Sequence, residues 1–240
     1  GCLGSSNGGE CFQGAMDDLR IYAKALTGGE VTRLYQDGVA ALAKLSESVT
    51  GGEPSLDKPL LAHWAFNERG GAAIHEASGK EALSVVAARL VPRTRGVHGN
   101  ALDLHGETVL EAKGAVPPEL PGISFSAWAR PADLSGFREL FRQECADRLL
   151  FSFQENGRIL SLGLNVGGYE ECDAEIDPAQ VADGAWHHCA ATFDGMVMRV
   201  FLDGRESASL KRPGTISAGG PAPGCIGSTN AEFVGLLEAQ

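Results

Sequence analysis

The chain has 240 residues, a formal net charge of −11 and an isoelectric point near 5.0. This acidic balance argues against binding to nucleic acid or to an anionic membrane surface, and no apolar run approaches the ~18 residues that a membrane span needs. The 32 glycines and 11 prolines among short apolar runs favour many strands joined by turns.

The beginning of the chain is repeated near its end. Gly1-Cys-Leu-Gly-Ser-Ser-Asn returns as Gly224-Cys-Ile-Gly-Ser-Thr-Asn, and Phe12-Gln-Gly returns as Phe233-Val-Gly after a two-residue deletion. A repeat of this size is a whole domain. The sequence therefore predicts a tandem array: residues 1–48 close one repeat, 49–57 form a linker, and 58–240 form a second repeat that is truncated in its last strand.

The first segment has the pattern of a strand followed by a helix. Residues 15–23 are predicted to form a strand, with Met16, Leu19 and Ile21 apolar around the acidic pair Asp17-Asp18. Thr27-Gly-Gly-Glu30 has the spacing of a capping box, which predicts a helix start. Gly38 is predicted to interrupt this helix, with a second helical stretch continuing to about residue 48. The glycine- and proline-containing stretch 50–58 then has linker composition.

The partner of the strand at 15–23 is left open by the sequence. Because two copies of one hairpin cannot share one position, we expect the first 36 residues to belong to another domain. The alternative is that 15–23 pairs with 60–66, as in a natural circular permutation, since the last strand of such folds lies beside the first.

Residues 58–240 have a pattern of short strands with almost no helix. In the stretch 123–130 apolar residues face one way while Ser124, Ser126 and Trp128 face the other, and Asp194-Gly195 and Asp203-Gly204 predict hairpin turns. The predicted fold is an all-β antiparallel sandwich of two sheets and at least ten strands. We expect the large apolar side chains of these strands to pack in its core: Trp64, Trp128, Trp186, Phe193 and Phe201.

Several of these strands resemble those of one family. The stretches beginning Leu61-Ala-His-Trp, Gly99-Asn-Ala-Leu and Ile123-Ser-Phe-Ser, together with Gly184-Ala-Trp-His-His-Cys and Arg199-Val-Phe-Leu-Asp-Gly, resemble successive strands of laminin G-like domains. These are jelly rolls of the concanavalin A-like lectin/glucanase type. The stretch Phe12-Gln-Gly-Ala-Met-Asp-Asp-Leu-Arg-Ile-Tyr is similar to the closing strand of such a domain. The fold carries lectins, adhesion modules and enzymes, so the resemblance does not assign a function.

The resemblance favours a non-catalytic recognition module. Such domains are commonly parts of large secreted or surface proteins, and they bind glycans or proteins through loops at one edge of the sandwich. The second possibility is a structural spacer that binds nothing, and a glycoside hydrolase is the third. We expect an extracellular, cell-surface or periplasmic location, neighbouring domains of the same chain as partners, and no membrane insertion.

One loop is the best candidate for a ligand site. Tyr169, Glu170, Glu171 and Asp173 combine an aromatic ring, which can stack on a sugar, with polar groups that can bind its hydroxyls. Phe137 is the second aromatic candidate. The alternative is that these residues are merely solvated loop residues.

The resemblance also implies a structural calcium ion. Asp17 and Asp18 occupy the position that holds calcium in many related jelly rolls, and Asn67 and Glu68 would be the matching ligands after the first strand of the second domain. Glu238 stands at the Asp17 position in the second copy. Calcium takes six to eight oxygen ligands in irregular loops, although a solvated acidic turn is the alternative.

We predict no catalytic residues. Glu175-Ile-Asp177 begins the alternating carboxylates of a glucanase strand, but Pro178 breaks the strand before the second glutamate. Ser124 and Ser126 lie in a regular strand without the sharp turn of a catalytic serine. His187 and His188 are adjacent, so in a strand their rings point to opposite faces, one packed inside and one half-exposed, and do not form a metal site.

The six cysteines are too few to build a disulfide scaffold. Cys2 and Cys11 could bridge a hairpin, and Cys145 and Cys172 could bridge successive strands. Cys189 is predicted to be a buried free thiol. Any disulfide would imply an oxidising compartment.

Overall fold

The computed structural model describes residues 10–44, 60–80, 84–87, 90–105, 110–112, 115–143, 148–217 and 224–226. In chain order the elements are β1 (Gln13–Tyr22), α1 (Gly28–Lys44), β2 (Leu60–Trp64), β3 (Ala73–Ile74), β4 (Val85–Val86), β5 (Arg93–Arg95), β6 (Asn100–His105), β7 (Leu110–Ala112), β8 (Glu119–Leu120), β9 (Ile123–Asp133), β10 (Arg138–Gln143), β11 (Leu149–Gln154), β12 (Ile159–Asn165), β13 (Tyr169–Glu175), α2 (Pro178–Val181), β14 (His187–Phe193), β15 (Val197–Leu202), β16 (Arg205–Lys211), β17 (Ile216–Ser217) and β18 (Gly224–Ile226).

Two antiparallel sheets form a sandwich of the predicted jelly-roll class. One sheet has eight strands in the order β16-β15-β14-β9-β1-β6-β5, with β2 also paired to β1, and the other has six in the order β13-β12-β11-β10-β18-β7. The apolar faces of both sheets form one core, which alternation along the strands predicts. The expected antiparallel sandwich of at least ten strands is confirmed for the residues that the structure describes.

Strand β1 lies in the middle of the eight-stranded sheet of this same sandwich. It pairs with β9 along one edge, while β6 and β2 share its other edge, with Leu19 opposite Trp64 and Arg20 opposite His63. The expectation that this segment packs on another domain is therefore wrong for the described residues, and the alternative pairing of 15–23 with 60–66 is the one observed. The physical reason is burial: Met16 and Leu19 are fully buried between the sheets. The division of a longer protein into tandem repeats stays a prediction.

Helix α1 begins at the predicted capping box and covers part of the outer face of the eight-stranded sheet. The amide of Thr27 donates to Glu30 Oε2 at 2.8 Å and the amide of Glu30 donates to Thr27 Oγ1 at 3.2 Å. The prediction that Gly38 interrupts the helix is wrong, since α1 runs through it. Gly38 instead lies against the sheet, where a Cβ would be 2.1 Å from Trp128 Cζ2. Among the described residues, no helix is both long and apolar enough to cross a membrane.

The predicted core residues divide into three environments. Trp64 and Phe193 lie in the core between the sheets, as expected. Trp128 is buried, but on the opposite face of β9, where it stacks on Tyr35 of α1 with ring centroids 5.8 Å apart. Phe201 is likewise buried against the helix rather than between the sheets. Trp186 is only half-buried. It directly precedes β14, and the guanidinium of Arg130 lies over its ring.

The cysteines follow the predictions in part. Cys189 is buried and free, as expected. Cys172 is also free, so the predicted bridge to Cys145 is wrong: its side chain points into the core from β13. Cys11 is disulfide-bonded. Cys2 and Cys145 lie outside the described residues.

Candidate functional site

The four residues predicted to bind a ligand lie on an edge strand and not in a loop. They belong to β13, the outermost strand of the six-stranded sheet, which pairs with β12 along its whole length. Cys172 and Ala174 of this strand enter the core, so Tyr169, Glu171 and Asp173 point to the opposite, outer face. Glu170 lies on the other side and forms an ion pair with Arg212 at 3.2 Å. The structure therefore brings together three of the four.

The outer face of this sheet continues the polar character of β13 onto two neighbouring strands. We call it the polar face, and it consists of Tyr169, Glu171, Asp173, Ser161, Ser152 and Gln154. Ser161 Oγ donates to Asp173 Oδ1 at 2.6 Å, and Gln154 Nε2 donates to Glu171 Oε2 at 3.2 Å. These bonds run across the sheet, so the side chains are fixed relative to each other before any ligand arrives.

Tyr169 lies along the surface of the polar face. Its hydroxyl donates to Glu171 Oε1 at 2.5 Å. A Cβ on Gly163 would lie 2.3 Å from the Tyr169 hydroxyl oxygen, so the glycine leaves room for the phenol to rest on the sheet. The Arg148 guanidinium lies over the Tyr169 ring, 5.5 Å from its centroid. Tyr169 is 37% exposed. Phe137, the second aromatic candidate, lies in the β9–β10 connection directly before β10 and is 43% exposed.

Burial and charge shift the titration of two groups on this face. Desolvation, together with the hydrogen bond to the Glu171 carboxylate, raises the pKa of the Tyr169 phenol, so it remains a hydrogen-bond donor at neutral pH. Desolvation also raises the pKa of Asp173, against the hydrogen bond from Ser161, which lowers it. The face therefore contains a fixed donor and acceptors that are partly removed from water.

Strand β13 also carries a carboxylate pattern that the sequence analysis missed. Glu171, Asp173 and Glu175 alternate along the strand, which puts all three on its outer face. Forward from Glu175 the alternation ends where Pro178 begins helix α2, whereas backward from Glu175 it continues along β13. The alternation of buried Cys172 and Ala174 with carboxylates was the signal that could have identified both the strand and this row.

Two of the residues predicted to bind calcium, Asp17 and Asn67, contact the loop at residues 96–100. Asp17 Oδ2 accepts the amides of Val97 and His98 at 2.7 and 2.9 Å. Asn67 Oδ1 accepts the amide of Asn100 at 2.9 Å, from the far end of the same loop. Asp17 Oδ1 is buried and has no hydrogen-bond partner. Burial raises the pKa of Asp17 to about 7, against the two amide donors, which lower it.

Two other members of the predicted calcium set are committed to cations of the protein. Asp18 Oδ1 accepts hydrogen bonds from Arg20 Nε at 3.0 Å and from His63 Nε2 at 2.7 Å. Burial alone would raise the pKa of Asp18, but the charge of Arg20 and the His63 hydrogen bond lower it to about 2. Glu68 Oε2 lies 3.5 Å from Arg93 Nη2, while its Oε1 accepts the amide of His75.

Within the predicted calcium set, the side-chain oxygens that accept amides of the 96–100 loop are those of Asp17 and Asn67. The described part of the chain contains no group of three or more His, Cys, Asp or Glu side chains that could hold a metal ion. Asp18 is held by Arg20 and His63. Glu238 lies outside the described residues.

The adjacent histidines point to opposite faces, as predicted. His188 is buried, with Nε2 2.9 Å from Ser126 Oγ, and burial lowers its pKa to about 4. His187 is half-buried, with Nδ1 2.9 Å from Asp203 Oδ2 and Nε2 3.1 Å from Asp183 Oδ1. The hydrogen bond to Asp203 raises the pKa of His187.

Comparison with known proteins shows the family. The family profile described as the concanavalin A-like lectin/glucanases superfamily, laminin G type, matches residues 109–239, which is more than half of the chain. The chain belongs to this family. No curated protein sequence is similar enough to match it.

Domain 4 of an arabinanase has the same fold at low sequence identity. Domain 4 of AbnA, an extracellular arabinanase from Geobacillus stearothermophilus solved in complex with arabinotriose, is 18% identical over 70% of this chain and 83% of that one, with a TM-score of 0.55. Domains LG4-5 of the mouse laminin alpha1 chain are 17% identical over 46% of this chain and 29% of that one, with a TM-score of 0.39. The binding domain of Paraclostridial Mosquitocidal Protein 1 is 11% identical over 68% and 48%, with a TM-score of 0.46.

Proposed function

We propose that this chain is a non-catalytic glycan-binding module and that the polar face around Tyr169 is its binding site. The observation that carries the proposal is the exposed Tyr169 ring lying on the sheet beside side chains already joined by hydrogen bonds. A sugar offers an apolar ring face and a rim of hydroxyls. An aromatic ring next to fixed carboxylate and amide groups matches both parts.

Two further observations support this proposal over a protein ligand or an enzyme. The structural relative with a TM-score of 0.55 was solved with arabinotriose, which makes a glycan the ligand class that we propose for this chain. Both Glu171 oxygens accept hydrogen bonds within the protein, and Asp173 is bonded to Ser161, which suits binding better than nucleophilic attack or proton transfer.

We further propose that calcium, where it binds, stabilises the loop at residues 96–100 and does not contact the glycan. Asp17 would contribute its unpartnered Oδ1 and Asn67 would contribute an oxygen. A bound cation supplies positive charge that offsets the burial of the Asp17 carboxylate. Asp18 and Glu68 stay with Arg20 and Arg93, which they already bind.

An extracellular or cell-surface location is part of the proposal. Cys11 is disulfide-bonded, and such bonds persist in oxidising compartments. Neighbouring domains of a larger protein remain the proposed covalent partners. A spacer that orients those domains and binds nothing is the alternative that the first experiment below can establish.

The test of the glycan proposal compares two exposed aromatic residues. The wild-type chain is screened against a glycan panel, and binding of each positive glycan is measured by titration calorimetry for Tyr169→Ala and Phe137→Ala. We expect Tyr169→Ala to lose about tenfold or more in affinity, because it removes the ring that contacts the sugar. A tenfold loss corresponds to about 1.4 kcal/mol of binding free energy. Phe137→Ala, which removes the exposed ring of the β9–β10 connection, is the control and should bind like the wild type.

Two results would contradict the proposal. Binding that both variants retain equally would remove Tyr169 from the site. A wild-type chain that binds no glycan on a broad panel would favour the spacer.

The calcium proposal has its own test. The thermal midpoint of unfolding is measured in excess chelator and in millimolar Ca²⁺ for the wild type and for Asp17→Asn. We expect Ca²⁺ to raise the midpoint of the wild type alone, because a ligand that binds only the folded state stabilises it by mass action. An equal rise in Asp17→Asn, or no rise in the wild type, would refute the assignment.

A further inference from the structure

Helix α1 is held on the outer face of the eight-stranded sheet by a small apolar cluster that is separate from the main core. Val31 and Leu34 of the helix pack in this cluster with Ala190 and Phe201. The buried residues of the helix are Val31, Leu34 and Gly38. A helix that buries so few side chains belongs to the less stable parts of a domain, and such parts open before the core does.

The segment before α1 is anchored independently of the helix. Ser124 Oγ donates to the Lys24 carbonyl oxygen at 2.7 Å and accepts the Leu26 amide at 2.7 Å. The capping box of Thr27 and Glu30 is made within the helix itself, so it does not need the sheet. The helix can therefore separate from the sheet while β1 stays in place.

His188 lies under this helix, on the outer face of β14. Its ring centroid is 5.2 Å from that of Trp128 and 6.3 Å from that of Tyr35, the helix residue that stacks on Trp128. Its Nε2 is 2.9 Å from Ser126 Oγ, while its Nδ1 is buried and has no hydrogen-bond partner among the described residues. An imidazolium would have a charged N–H at Nδ1 without an acceptor, so the site suits the neutral ring.

The charged groups around His188 already have other partners. Asp18 on β1 accepts a hydrogen bond from Arg20, and Asp203 in the β15–β16 turn accepts one from the amide of His188 and lies 2.9 Å from His187 Nδ1. The other elements against the ring contribute Trp128 and Ser126 from β9 and Tyr35 from α1.

Burial is the main influence on the titration of His188. It lowers the pKa of His188 from 6.5 to about 4, and the charge of Arg20 lowers it too, against Asp18 and Asp203, which raise it. The neutral ring is thus favoured while α1 covers it. The stability that this covering contributes is fully present above pH 6.5 and is lost as the pH falls towards 4.

We propose that α1 is an acid-released cover of the eight-stranded sheet and that protonation of His188 releases it. A protonated ring gains its missing hydrogen-bond partner from water only when the helix moves away. Trp128 and Phe201, which the helix covers, then become exposed. This face belongs to the opposite sheet from the polar face, so the proposal does not depend on glycan binding.

The first test measures hydrogen exchange of the full chain at pH 7.5 and pH 4.5, with protection factors corrected for the pH dependence of the intrinsic rate. We expect the protection of residues 28–44 to fall about tenfold or more at pH 4.5. The reason is that each unit of pH between the two pKa values weakens the docking equilibrium by about a factor of ten. Strand β9 should keep its protection, and an apolar fluorescent dye should bind more strongly at pH 4.5.

The second test replaces the histidine. His188→Gln keeps a side-chain amide for Ser126 and cannot take up a proton, so residues 28–44 should be equally protected at both pH values. His75→Gln, which removes an exposed histidine, is the control and should lose helix protection at pH 4.5 as the wild type does.

Three results would overturn the proposal. They are equal protection of the wild-type helix at both pH values, a joint loss of protection in the helix and β9, and a helix in His188→Gln that is released by acid as in the wild type. The first two need only the wild-type chain, so they decide the matter even where His188→Gln does not fold.

Discussion

Leu19 of β1 lies directly opposite Trp64 of β2, and both side chains are fully buried in the core between the two sheets. The two residues come from opposite sides of the linker-like stretch at 50–58. Their pairing means that the segment before this stretch and the strands after it share one hydrophobic core. The described part of the chain therefore forms a single sandwich, whose central strand comes from the N-terminal segment.

The contact of helix α1 with Trp128 predicts that Gly38→Ala is destabilising. A Cβ at Gly38 would lie 2.1 Å from Cζ2 of Trp128, so the helix or the indole must move. Overpacking of this kind costs about 1–3 kcal/mol. The matched control is Gly29→Ala on the same helix, where nothing lies within 4 Å of the added Cβ. Urea unfolding should show a loss for Gly38→Ala only, and equal midpoints for both variants would contradict the packing described.

The buried ion pair of Asp18 with Arg20 on β1 predicts that Asp18→Asn strongly lowers the free energy of unfolding. This change leaves the Arg20 guanidinium buried without its carboxylate partner, which costs about 3–5 kcal/mol. Asp194→Asn is the matched control, because it removes the charge from a more exposed pair with Arg199 and should cost less than about 1 kcal/mol.

The Asp18 contribution should also depend on pH. The pKa of Asp18 is about 2 in the folded protein against 3.8 for the free side chain, so its stabilisation is present above pH 3.8 and is lost as the pH falls towards 2. The stability gap between the wild type and Asp18→Asn, measured by denaturant unfolding, should therefore narrow over this range. A gap of constant size would show that the charge of Asp18 is not its source.

The pairing of His187 with Asp203 predicts stability that is lost at higher pH. The hydrogen bond to Asp203 raises the folded-state pKa of His187 above its usual 6.5. Its stabilisation is thus fully present below pH 6.5 and disappears as the pH rises through the folded pKa. We expect His187→Gln to be less stable than the wild type at pH 5.5 and closer to it at pH 9 by thermal unfolding. A stability difference between the wild type and His187→Gln that grows with pH would contradict the raised pKa of His187.

The row of Glu171, Asp173 and Glu175 predicts binding without hydrolysis. A glycosidase needs two carboxyl groups free to act on either side of a glycosidic bond in a cleft. Here both Glu171 oxygens are engaged by Tyr169 and Gln154, and β13 is the edge strand of its sheet. We expect no sugar release from any polysaccharide that the chain binds. Release that disappears in Glu171→Gln and Glu175→Gln would make the chain an enzyme.

Local patterns predicted the elements more accurately than their environments. The capping box of Thr27 and Glu30 and the alternation in β9 depend on neighbours in sequence, and both were correct. Trp128 was assigned to the right strand but to the wrong packing surface, because alternation separates two faces without showing that α1 covers one of them. Strand β13 was mistaken for a loop because its outward positions are acidic.

The amino-acid sequence by itself determined the fold class and the strands with clear alternation, since these depend on periodicity and turn residues. Its strand motifs carried the resemblance to laminin G-like domains. Only the tertiary structure decided which copy of the repeated segment closes the sandwich. Asp18 of β1 meets His63 of β2, 45 residues further along the chain, and this contact exists only because the two strands pair. The same holds for the polar face, where Tyr169, Gln154 and Ser161 become neighbours only because three strands pair in one register.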